Sequence, residues 1–160
     1  MELYGFEIEV VFLRKKDEVL AYAWHYTREK AMSHLRKIMD YHNLKGEIVK
    51  SEALEDWLIN EIRGVVEKGK KFLLPDFNYR NRAVYEEIIK IPRGETATYS
   101  EISHTSGVKF TQMLVSLMRN PFQILIPCHR LLTKRNTLMG FYPLGVEVKK
   151  KLLEIEGANL

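Results

Sequence analysis

The chain's single cysteine, Cys128, sits in the segment Asn120-Pro121-Phe122-Gln123-Ile124-Leu125-Ile126-Pro127-Cys128-His129-Arg130. A thiol attacks as its thiolate, a state favoured by a nearby imidazole or positive charge. His129 and Arg130 bring one of each, although adjacency in sequence does not make their side chains meet the sulfur. Two roles stay open on these residues alone: a reactive nucleophile, or a small apolar side chain buried like many free cysteines. One cysteine excludes an intramolecular disulfide framework and any multi-cysteine zinc or iron–sulfur cluster. His25, His34 and His42 are too scattered for metal-ligand spacing. No metal and no cofactor are therefore expected. A lone thiol fits a reducing compartment, the cytoplasm or a eukaryotic nucleus. The first residues lack the basic-then-apolar layout of a signal peptide, and no apolar run approaches a membrane span.

These residues need elements to hold them. Ile124 to Ile126 reads as a buried extended run. Pro127 ends it and keeps the chain out of a helix, so that Cys128, His129 and Arg130 emerge towards a cleft. Upstream, Arg82 opens a helix with Val84, Tyr85, Ile88 and Ile89 on one face, and Pro92 ends it near Ile91. Arg93-Gly94-Glu95 is a tight turn. Thr98-x-x-Glu101 is a capping-box pattern that starts a helix at Tyr99. Ser106-Gly107 interrupts that helix, and another runs from about Phe110 to Arg119. This is the outline of a helix-turn-helix. Residues 76–160 carry 12 basic and 8 acidic side chains, the whole excess of +4, while residues 1–75 balance at 13 each. Between Ile102 and Val146 lie Lys109, Arg119, Arg130, Lys134 and Arg135 and no acidic residue. A polyanion suits that stretch; uneven surface charge is the plainer reading.

The first half reads as a small α+β unit. Phe6 to Leu13 begins with strand-like alternation, Lys15-Lys16-Asp17-Glu18 is a turn, and Val19 to Tyr26 pairs back. Thr27 caps a helix with Ala31, Leu35, Ile38 and Met39 on one face. Gly46 to Lys50 is a third strand. Ser51 opens a second helix carrying Leu54, Trp57, Leu58, Ile62 and Val65, which Gly69 stops. Lys68 to Asp76 is the connector, so the chain divides into 1–75 and 76–160. No candidate catalytic groups gather in residues 1–70.

The second half resembles the O6-alkylguanine-DNA alkyltransferases (methylated-DNA–protein-cysteine methyltransferases). The resemblance rests on Pro127-Cys128-His129-Arg130 with Asn120-Pro121, and on Ile91-Pro92-Arg93-Gly94-Glu95-Thr96-Ala97-Thr98-Tyr99-Ser100-Glu101-Ile102. It continues in Gly140-Phe141-Tyr142-Pro143-Leu144-Gly145 and in Lys149 with Leu152 to Gly157. It covers about residues 80–157. It implies a fold of α/β (α+β) class: a ribonuclease-H-like small sheet with helices, then a mostly helical domain with a winged-helix-like helix-turn-helix.

The resemblance also implies direct-reversal DNA repair. The alkyl group of O6-alkylguanine, with O4-alkylthymine as a second candidate substrate, would pass irreversibly to Cys128 after the nucleotide is flipped out of the duplex. His129 is then the general base, acting through a water, and Glu156 the carboxylate that orients it. Tyr99 contacts the target nucleotide and helps neutralise the departing guanine. Asn120 fixes the turn before the active-site segment. Met139, Gly140, Tyr142 and Pro143 wall the pocket, and Lys149 tunes the site. Lys109, Thr111, Gln112, Arg119 and Arg130 are the candidate DNA contacts, Arg130 with an internal supporting role as the stronger option. The partner is double-stranded DNA carrying the lesion, met by a monomer away from membranes. Thr111 stands where relatives usually carry an arginine that fills the flipped nucleotide's gap, and Leu114 and Val115 replace small residues. Pro143 replaces a common serine. An alternative is thus a non-catalytic lesion-binding protein; a helix-turn-helix regulator and a cysteine hydrolase are the others.

Overall fold

The structure is a computed structural model and describes residues 1–159. β1 (Glu2–Leu3) and β2 (Phe6–Glu7) form a small hairpin. β3 (Glu9–Lys15) and β4 (Glu18–His25) pair antiparallel, with Phe12 opposite Tyr22 and Val10 opposite Trp24. The run from Phe6 is thus two strands rather than one. The amide of Ile8 turns to the carbonyl of Met1 at 2.9 Å, and its own carbonyl accepts from the Met1 ammonium at 3.0 Å. That pairing ties Ile8 to the hairpin, and the ladder with β4 begins at Glu9. Val10 to Leu13 are all buried, so β3 is covered on both faces and its alternation ends there.

α1 (Arg28–His42) packs on β3 and β4. Thr27 caps it by accepting from the Lys30 amide. β5 (Glu47–Val49) completes a three-stranded sheet in the order β4-β3-β5. α2 (Glu52–Lys68) starts at the Ser51 cap and stops at Gly69, whose φ of 72° is the left-handed geometry glycine adopts freely.

The second half holds α3 (Arg82–Ile89), β6 (Ala97–Thr98), α4 (Tyr99–Ser106), α5 (Phe110–Met118), β7 (Leu131–Leu132) and α6 (Val146–Ile155). The Thr98 hydroxyl accepts from the Glu101 amide at 3.1 Å, which supplies the N-cap half of the capping box. β6 and β7 pair in parallel. The molecule is of mixed α/β class, with three small sheets and six helices among the described residues. One apolar core runs through both halves. Phe122 shows the continuity: its ring meets Tyr22 of β4, Phe72 of the connector and Tyr79.

The segment before Cys128 corrects the expected extended run. Residues 122–126 are buried, but they close a turn in which the Ile126 amide donates to the Phe122 carbonyl at 2.8 Å. Asn120 is the physical reason. Its Oδ1 accepts from the Phe122 amide at 2.9 Å and its Nδ2 donates to the Ile126 carbonyl at 3.2 Å. Bridged at both ends by one side chain, the segment cannot extend, and Ile124 takes a φ of 76° that is rare for a β-branched residue. Pro127 does not keep the chain from helix; it opens a 3-10 turn over Cys128–Arg130. That turn sends Cys128 one way and His129 and Arg130 inward.

Candidate active site

Cys128 lies at the edge of a cavity of about 460 Å³ whose walls are almost wholly apolar. α5 supplies Leu114, Leu117 and Met118; the 139–145 loop supplies Met139, Gly140, Phe141, Tyr142, Pro143 and Gly145; Tyr99 stands at the start of α4. The sulfur is 3.5 Å from Nδ2 of Asn120, so the side chain that folds the preceding turn also presents an N–H to the thiol. Burial pushes the Cys128 pKa up, and the Asn120 amide and the Lys149 ammonium oppose that rise.

Behind the sulfur, His129 is fully buried. Its Nε2 lies 3.0 Å from Oε1 of Glu156 at the end of α6. Burial holds the imidazole below its usual pKa, so the ring is neutral at neutral pH, and Glu156 works against that depression. The carboxylate is also buried, which by itself would raise its pKa, but hydrogen bonds from His129 and Arg130 bring it below the ordinary value. An ionised carboxylate only accepts, so Nε2 carries the proton and Nδ1 is left as a base. Nδ1 has no hydrogen-bond partner among the described residues.

Arg130 corrects one expectation. It is 3% exposed, with Nε and Nη2 on the Glu156 carboxylate and Nη1 on the Ile91 carbonyl at 2.7 Å. A guanidinium committed to an internal carboxylate cannot face DNA. It balances the Glu156 charge in the interior and holds the carboxylate against His129. Gly94 lets this corner close: at a φ of 84°, a Cβ there would sit 3.2 Å from the Glu156 carbonyl oxygen.

Lys149 reaches the site from α6. Its helical spacing with Leu152, Leu153 and Glu156 puts all four on the buried face. The ammonium donates to the Tyr99 hydroxyl at 2.9 Å and to the Met139 carbonyl at 3.1 Å. With its oxygen accepting from Lys149, the Tyr99 hydroxyl keeps its own hydrogen for the cavity. Burial lowers the Lys149 pKa to about 8, and Cys128 counters that fall. Burial, with the nearby Cys128, raises that of Tyr99.

The structure therefore brings Cys128, His129, Glu156, Tyr99 and Asn120 together, with Met139, Gly140, Tyr142 and Pro143 around the cavity. Lys109, Thr111 and Gln112 lie apart, exposed at the start of α5, and Arg119 is half-buried at its end. Phe110, Val115 and Met118 are exposed on the same helix. Sequence reasoning passed over Gln123 as a lining residue. The signal for Gln123 was a lone amide inside an otherwise apolar buried run. Among the described residues no cluster of His, Cys, Asp and Glu could hold a metal, and no helix is long and apolar enough to cross a membrane.

Residues 80–158 match the family described as 6-O-methylguanine DNA methyltransferase, DNA binding domain. A methylated-DNA–protein-cysteine methyltransferase from Metallosphaera sedula is 43% identical over 75 residues, which are 47% of each chain. The chain spans about half the length of the curated relatives it matches. Over nearly the whole chain, the fold is shared with O6-methylguanine-DNA methyltransferase from Pyrococcus kodakaraensis, at a TM-score of 0.70 and 21% identity, covering 94% of this chain and 92% of that one. A Mycobacterium tuberculosis structure described as OGT in complex with DNA is similar at a TM-score of 0.51 and 25% identity, covering 61% of this chain and 63% of that one. With the cysteine, histidine and glutamate of the family's signature assembled at one cavity, the chain belongs, through its C-terminal half, to the 6-O-methylguanine DNA methyltransferase family.

Proposed function

We propose that the protein repairs DNA by direct reversal, taking the alkyl group of O6-alkylguanine irreversibly onto Cys128, once per molecule. The observation that carries this reading is the sulfur at an apolar cavity with a buried histidine behind it, whose Nε2 is tied to Glu156 and whose Nδ1 is an unused base. Cys128 is the nucleophile. His129 takes the thiol proton at Nδ1 through a bridging water, and Glu156 fixes the tautomer and stabilises the charge that develops. The thiolate attacks the alkyl carbon, a sulfur–carbon bond forms, and the carbon–O6 bond breaks. Guanine leaves with the bonding pair, and the Tyr99 hydroxyl, polarised by Lys149, helps neutralise it. A thioether has no route back to the thiol, so the reaction stops after one turn.

The partner in this reading is double-stranded DNA met by a monomer. The lesion lies inside the stack, so the nucleotide must be flipped, at a cost of a few kcal/mol. α5 is the docking element. Lys109, Thr111 and Gln112 start it, Arg119 ends it, and its exposed apolar side chains suit a minor-groove surface. The division at residue 75 separates a scaffold half from a half that docks and reacts. A thiol that must stay reduced belongs in the cytoplasm, or the nucleus of a eukaryote.

Intact-mass measurement after incubation with an O6-methylguanine duplex tests this. One stoichiometric adduct, absent in Cys128→Ser, is the expected result. Selective binding of the lesion duplex without an adduct would instead establish a non-catalytic lesion-binding protein, the reading that Thr111 in place of a gap-filling arginine favours. Binding should also weaken steeply with salt.

A further inference from the structure

β4, with Tyr26 just beyond its end, reaches the walls of the cavity from the N-terminal half through Tyr22, Trp24 and Tyr26. The Tyr22 amide donates to the Pro121 carbonyl at 3.0 Å, and the Tyr22 hydroxyl donates to the Gln123 carbonyl. The Trp24 indole donates to Oε1 of Gln123. The Tyr26 hydroxyl donates to the Leu144 carbonyl at 2.5 Å. Gln123 is 6% exposed, lines the cavity, and passes the connection on, its Nε2 donating to the Tyr142 carbonyl.

The chemistry of the partners settles which way the Gln123 amide faces. An indole N–H only donates, so it must meet the amide oxygen; a carbonyl only accepts, so it must meet the amide nitrogen. Trp24 therefore orients the amide, and the oriented amide holds the loop. The nitrogen has a second hydrogen, and Gln123 lines the same cavity as Cys128. We propose that Gln123, oriented by Trp24 of the N-terminal sheet, is a positioning residue that holds the Tyr142 carbonyl and its loop over Cys128 and turns its remaining N–H to the sulfur. The inference rests on the reading of Cys128 as nucleophile and adds to it a task for the half that contributes no reacting group. The amides of Asn120 and Gln123 both favour the thiolate.

The other ionisable groups around the sulfur are His129 and Lys149, the phenols of Tyr22, Tyr85 and Tyr99, and the Arg130–Glu156 pair behind His129. Gln123→Leu and Trp24→Phe leave all of these in place. The test follows Cys128 modification by intact mass, with iodoacetamide from pH 6 to 10 and separately with O6-benzylguanine. Gln123→Leu should move the iodoacetamide midpoint up by about one pH unit, close to tenfold slower at neutral pH. Its reaction with O6-benzylguanine should fall further, because the loop is also released. Trp24→Phe should shift both in the same directions by less. An unmoved midpoint in Gln123→Leu overturns the proposal. The double variant Trp24→Phe/Gln123→Leu removes both polar partners and should regain melting temperature but not rate. A rate that returns with the melting temperature reduces Gln123 to packing and also overturns the proposal. If the wild type reacts with iodoacetamide but takes no benzyl group, the alkyltransferase reading fails, and the iodoacetamide midpoints alone decide the role of Gln123.

Discussion

His42 and His129 are both shut away from solvent, both lowered in pKa by burial, and both packed against aromatic rings, yet their ring nitrogens are used differently. His42 ends α1 under the second half. Its Nδ1 accepts from the Arg80 amide at 3.0 Å and its Nε2 faces the Arg119 carbonyl at 2.8 Å. Every polar atom of that ring is taken, and it links α1, the segment just before α3 and the end of α5. His129 is anchored at Nε2 alone. His34 is a third case: its Nδ1 is also unpartnered and its ring stands edge-on to Tyr142, but no carboxylate fixes its tautomer. A buried histidine with both nitrogens occupied is a fastener. One held by a carboxylate at one nitrogen and open at the other is a base waiting for a proton.

The sharpest way to break this comparison is to make one substitution in both places. His129→Leu should slow alkyl transfer by about 10²–10⁴-fold, the usual contribution of a positioned acid–base group. His42→Leu should leave transfer alone and cost about 1–3 kcal/mol in denaturant unfolding, because Arg80 N–H and the Arg119 carbonyl lose their partner. Equal losses of rate in the two variants would erase the distinction. Next in size is Glu156→Ala. It removes the anchor of His129 and leaves Arg130 buried without its carboxylate, which should destabilise the fold by about 3–5 kcal/mol. A melting curve close to wild type would show that Arg130 can find another partner.

The two histidine environments differ also in how far the sequence disclosed them. Helix caps at Thr27, Ser51 and Thr98 and the stops at Gly69 and Gly107 were readable because capping is local chemistry. Cys128, His129 and Glu156 are singled out only through the family resemblance, in the Pro-Cys-His-Arg segment and in the C-terminal helix; without it Glu156 reads as an exposed charge near a helix end. The 122–126 turn was not readable, since a run of Ile, Leu and Ile reads as strand unless Asn120 is known to bridge it from outside. For Arg130 an internal role is the stronger option beside a DNA contact, but its partner was not legible, because Glu156 lies 26 residues away at the end of another helix. The satisfied state of His42 depends on carbonyl and amide groups from Arg119 and Arg80, and backbone groups leave no mark in a residue pattern.

Acid sharpens the comparison from another side. Burial holds His34 and His42 at pKa values of about 4, below the 6.5 of an exposed imidazole. The unfolded chain therefore binds protons that the folded chain refuses. The stability tied to each ring is complete above about pH 6.5, falls progressively as pH drops to about 4, and is then flat. The loss reaches up to about 3 kcal/mol for each ring. Denaturant unfolding measured between pH 4 and 8 should show this slope, and His42→Leu should flatten it by up to one proton. An unchanged slope in that variant would mean that His42 is protonated in the folded state, against its two occupied nitrogens.

The smallest test removes a single oxygen atom from each environment. The Tyr85 hydroxyl donates to the Ser116 carbonyl at 2.7 Å beside His42, while the Tyr99 hydroxyl accepts from Lys149 beside Cys128. Tyr85→Phe should cost about 1 kcal/mol of stability, one neutral buried hydrogen bond, with transfer unchanged. Tyr99→Phe should act on the rate instead. Lys149 keeps the Met139 carbonyl, so the fold loses little, but the departing guanine loses a donor worth about 1–1.5 kcal/mol, or roughly tenfold. The deciding measurement is the ratio of single-turnover rates with O6-benzylguanine in the two variants. A ratio near ten places the phenol among the groups that act on the substrate. A ratio near one would make the Tyr99 hydroxyl a fastener like its counterpart, and Lys149 would then be the nearest donor left to meet the leaving base.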